Sequence, residues 1–108
     1  MPVRVQFARE PYPNVWVEFR DEPWPFRDRR LITESMDDVV TLSIVLPYIT
    51  GWNLVDVEGN PVPVTIDPKG LDAVDDRYII PWLIRSWFTA RADRNVLPKG
   101  SGGTSGSS

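Results

Sequence analysis

The chain has 108 residues, 42% of them hydrophobic and 25% charged, the balance of one small folding domain rather than a disordered segment. It contains neither cysteine nor histidine, which excludes disulfides, thiolate or imidazole metal ligands, a cysteine nucleophile and a histidine general base. A net charge of -3 argues against a nucleic-acid partner. No apolar run is long enough for a bilayer span, and the first residues lack a signal-peptide core.

Val3, Val5 and Phe7 alternate with Arg4 and Gln6, and Val15, Val17 and Phe19 alternate with Trp16, Glu18 and Arg20. Both runs have the period of a strand. They predict a hairpin, with Pro11 and Pro13 making the connection over 9–14 loose. Phe26 to Ser35 reads as a short amphipathic helix, with Asp28 in its first turn facing the helix dipole. The basic group Arg27, Arg29 and Arg30 alternates with that acid and reads as a solvated face.

Asp37 and Asp38 precede the apolar run Val39 to Ile49. As a strand it would present Val40, Leu42, Ile44 and Leu46 on one face. As a helix it has Asp37 as N-cap and Pro47 in its last turn. The helical reading is preferred. Its circumference is almost wholly apolar, so it should be central and buried. Gly51 would terminate it.

Trp52 is expected to pack under a hairpin-like excursion near 52–64 that turns at Glu58-Gly59-Asn60-Pro61, with Gly59 supplying the positive dihedral. Asp67-Pro68 is a strong helix start, though Gly70 keeps that helix short. A longer helix is predicted from about Asp76 to Ala92, with Pro81 within its first turns, where proline is tolerated if the true start is near Ile80. The fold class is therefore α+β: a small N-terminal β-hairpin, then three to four helices around the excursion. Residues 1–97 form one small domain. Residues 98–108 form a flexible tail, of which 100–108 hold only Gly, Ser and Thr; it reads either as an appended linker or as a native tail.

Little here suggests catalysis. Asp37-Asp38 and Asp75-Asp76 stand where helix-capping acids stand. Asp56, Glu58, Asn60 and Asp67 fail as a calcium loop, because Pro61 occupies the position that requires glycine. There is no phosphate-cradling glycine loop, and Ser35, Ser43 and Ser86 have no histidine partner. No enzyme, metal or cofactor is expected.

The aromatic content is more informative, with five Trp, three Tyr and four Phe. On the last helix, Ile79, Ile80, Leu83, Ile84, Trp87, Phe88 and Ala90 cover about half the circumference and suffice to bind the core. Tyr78, Trp82, Arg85 and Thr89 fall on the other side. Either they form a partner-binding face of hot-spot composition, or another segment such as Trp24-Pro25-Phe26 covers them. The exposed reading predicts that Trp82→Ala leaves the fold intact.

The stretch from Ile49 to Val64, ITGWNLVDVEGNPVPV, resembles a pattern in tail assembly chaperones of tailed bacteriophages. There a helix ends in a Trp-containing turn and an acidic Gly-x-Pro-x-Pro segment follows. The likeness covers about 29–92, including Arg29-Arg30-Leu31-Ile32 and the aromatic helix after Asp76. It implies a non-catalytic protein in the host cytoplasm that keeps a long tape-measure protein soluble during tail assembly. The N-terminal strands depart from a purely helical chaperone. The alternative is a self-associating virion component, such as a head–tail connector or minor tail protein. A small ligand-binding module using the acidic loop around Asp56 is a third reading.

Overall fold

The computed structural model describes residues 2–95, so the expectation of a flexible tail over 98–108 lies outside the described residues. The predicted N-terminal hairpin is present: β1 (Val3–Gln6) pairs antiparallel with β2 (Trp16–Phe19), Val3 opposite Phe19 and Val5 opposite Val17. The alternation does the sorting. Val17 and Phe19 point into the core, while Glu18 and Trp16 lie on the other face, where Arg4 bonds Glu18 at 2.7 Å and covers the Trp16 ring.

Two helices follow. α1 (Phe26–Glu34) begins without a side-chain cap. α2 (Asp38–Val45) is capped by Asp37, whose carboxylate accepts from the Val39 amide at 2.8 Å. The run after Asp37 is thus a helix, but a shorter one than predicted. A 3-10 turn over Leu46–Tyr48 follows at Pro47, which has no N–H to continue the helical ladder.

Ile49–Trp52 then forms β3, a strand the sequence did not announce. It joins the free edge of β2, giving a three-stranded antiparallel sheet of order β1-β2-β3 with a register shift at Glu18/Phe19. Gly51 is therefore a strand residue opposite Glu18, not a helix terminator.

The excursion forms as expected. Val55 bridges Pro61, and the Asp56 carboxylate accepts from the amides of Glu58 and Asn60, both at 2.9 Å. Gly59 carries the positive φ of 88°. Trp52 packs beneath, its indole N–H donating to the Val62 carbonyl at 2.7 Å. Asp67 caps the 3-10 turn Pro68–Leu71. Gly70 lies so close to Thr65 that a Cβ there would come within 2.7 Å of its methyl.

α3 (Ile79–Asn95) starts three residues later than predicted. The Asp75 carboxylate accepts from the amides of Arg77 and Tyr78, and this turn delays the helix; Pro81 is then its third residue. α3 packs on β1, β2 and α2, and one hydrophobic cluster joins all three helices to the sheet.

Candidate partner-binding surface

The structure does not assemble the four-residue face expected on α3. Trp82 is only 6% exposed and packs edge-to-face on Phe7, ring centroids 5.6 Å apart. The segment that covers it is the end of the N-terminal hairpin, not Trp24-Pro25-Phe26. Tyr78 is 38% exposed and leans on Tyr12, and Arg85 and Thr89 are exposed. These three lie outside the core without the tryptophan that was expected to stand among them.

The buried stripe of α3 runs through Ile79, Trp82, Leu83, Ser86, Trp87 and Ala90. It is turned toward Trp82 and Ser86 and away from Ile84 and Phe88, which are only half-buried. Ser86 tolerates burial because its hydroxyl donates to the Trp82 carbonyl at 2.7 Å. A polar residue inside the stripe and a tryptophan outside the expected half concealed this rotation from the periodicity.

The apolar surface lies elsewhere. α2 is not buried all round, contrary to expectation: Val39 is 60% and Val40 45% exposed. Just before α2, Met36 is 99% exposed, and Leu31 of α1 is also in water. Beside this side of α2, a groove of about 240 Å³ runs between α2, the Pro68–Leu71 turn and the start of α3. Val39, Leu42, Leu71 and Ile80 give it apolar walls, and Asp38, Asp72 and Asp76 stand among them. A second cleft, of about 370 Å³, lies between the segment Pro23–Phe26 and α3, with Arg29, Trp87 and Arg91 in its walls.

Two tyrosine–carboxylate bonds hold this arrangement together. Tyr12 donates to Asp75 at 2.6 Å, tying the hairpin connection to the start of α3. That bond, aided by the two backbone amides and opposed by burial, lowers the Asp75 pKa below its ordinary value; the same bond, with burial adding to it, raises that of Tyr12. Tyr48 donates to Asp28, joining the turn after α2 to α1. Burial first, and then the bond to Asp28, raises the Tyr48 pKa well above its ordinary value. Asp28 therefore serves a contact between elements, where the sequence suggested only a dipole partner. Asp56 is spent on its turn.

Among the described residues no group of three or more acidic side chains is placed to hold a metal ion, and no helix is long and apolar enough to cross a membrane. Comparison with family models, curated proteins and solved structures finds no match to this chain.

Proposed function

We propose that the chain is a non-catalytic binding protein of the tail assembly chaperone kind, which covers apolar stretches of a tape-measure protein in the host cytoplasm. The observation that supports this reading is the outward side of α2. A helix that is apolar all round normally lies inside a protein. This one leaves Val39 and Val40 in water, next to Met36 and alongside an apolar groove. Exposed apolar area of this kind is stabilised, at about 25 cal/mol per Å², only when a partner covers it. The likeness of 29–92 to the chaperone pattern points the same way.

Co-expression with the tape-measure-type protein of the same genome tests the proposal. The tape-measure protein is expected in the soluble fraction only when this chain is present. The double variant Val39→Glu/Val40→Glu should lose that effect while folding normally, because acids in the first turn of a helix favour its dipole. A tape-measure protein that stays insoluble beside the folded wild-type chain would overturn the proposal. So would a stable closed ring of this chain alone in native mass spectrometry, which marks a self-associating virion component.

A further inference from the structure

From the cleft between the Pro23–Phe26 segment and α3 we infer a second docking site, one that takes a carboxylate side chain of a bound polypeptide together with an adjoining apolar residue. The cleft has an aromatic side: Trp24 and Trp87 stack with centroids 5.3 Å apart, and Phe26, 62% exposed, completes it. It also has two guanidinium groups, Arg29 and Arg91. The carboxylates around α1 are already engaged: Asp28 by Tyr48 and Arg27, Glu34 by Arg30, and Glu22 by Arg20. Among the described residues, Arg29 and Arg91 have no acid partner. Arg29 instead lies over the Phe26 ring at 4.8 Å, which holds its fork in place and leaves its N–H groups for a ligand.

A third group points to an acceptor. Trp87 is 1% exposed, and its indole N–H is buried without a hydrogen-bond partner. A buried donor in that state carries a desolvation cost that an incoming oxygen would remove. Two guanidiniums with no acid partner among the described residues, and an unsatisfied indole N–H on a residue of the same wall, give the cleft the positive charge and the donors that a carboxylate takes. The exposed Phe26 ring beside them fits an apolar neighbour of that acid in sequence. A nucleic-acid phosphate offers similar oxygens but is disfavoured by the net charge of -3.

The site rests on the proposed function only in that its occupant is a polypeptide, so it is tested without a tape-measure protein. The full chain is used to select from a displayed library of random short peptides, and the most enriched peptide is synthesised and titrated. Enriched peptides are expected to share an acidic residue next to an aromatic or aliphatic one. Arg29→Gln and Arg91→Gln should each weaken binding by about tenfold, with thermal melting unchanged. Arg85→Gln, on another side of α3, should bind as wild type. In ¹⁵N–¹H spectra the Trp87 indole N–H peak should move downfield on saturation. Absence of enrichment, a consensus without acids, or binding as tight as wild type by both arginine variants overturns the site. Binding of an oligothymidylate probe in place of acidic peptides would assign the cleft to nucleic acid and overturn it equally.

Discussion

Trp82 lies on α3 and Tyr78 four residues earlier, just ahead of that helix, and the two differ in what surrounds them. Phe7 closes over Trp82, whereas Tyr78 keeps much of its ring in water. Removing a buried indole leaves a cavity that the surrounding chain fills only partly. Trp82→Ala is therefore expected to cost about 3–5 kcal/mol, read from the urea midpoint, and Tyr78→Ala much less. Equal, small effects would mean that the hairpin end does not cover Trp82 in solution. Gly59 offers a second check. Its φ of 88° suits glycine, and nothing lies near a would-be Cβ, so the strain of a side chain there is purely conformational. Gly59→Ala should cost about 1 kcal/mol without altering the rest of the structure.

Between elements, the connections are made by hydroxyl–carboxylate pairs more than by ion pairs. Asp75 has its pKa lowered in the folded chain, so its contribution is present above its ordinary value of 3.8 and is lost as pH falls through the folded value. Tyr48 has its pKa raised, so its contribution is present below about 10 and is lost as pH rises toward the folded value. Unfolding midpoints of wild type and Tyr12→Phe should therefore differ at neutral pH and converge in acid, where Asp75 is protonated in both states. A constant difference across that range would show that the Tyr12–Asp75 bond contributes nothing that titrates. In alkali, Tyr48→Phe should lose less stability than the wild type over the same rise in pH.

At the scale of the whole molecule, β2 has a paired neighbour on each side and carries Val17 and Phe19, both fully buried. α3 crosses behind it with Leu83 and Trp87. These two elements should give the slowest amide exchange, because only global unfolding exposes them. The stretch 57–66, with Val57, Val64 and Ile66 in water, should exchange fastest among the described residues. Comparable protection in both regions would rule out a stable core confined to the sheet and α3. A core this small hides only about 60% of the chain's unfolded surface. Covering the outward side of α2 with a partner would add stability, and exchange in α2 should slow in such a complex.

Local chemistry made much of this legible. Alternation placed β1 and β2, side-chain carboxylates placed the starts of α2 and the Pro68 turn, and Gly59 placed the excursion's turn, because each depends on neighbours a few residues away. β3 was not legible, since Ile49 to Trp52 becomes a strand only through the open edge of β2, whose paired residues lie 30 to 35 positions earlier in the chain. The resemblance carried by 49–64 likewise concerns structural residues, so it could indicate a class of protein without locating a surface. Which aromatics are sealed was decided by the tertiary structure: Phe7 and the hairpin end reach Trp82, while none of the described residues covers the outer side of α2. The periodicity of a helix tells which residues share a face; only the packing of distant segments tells which face remains in water.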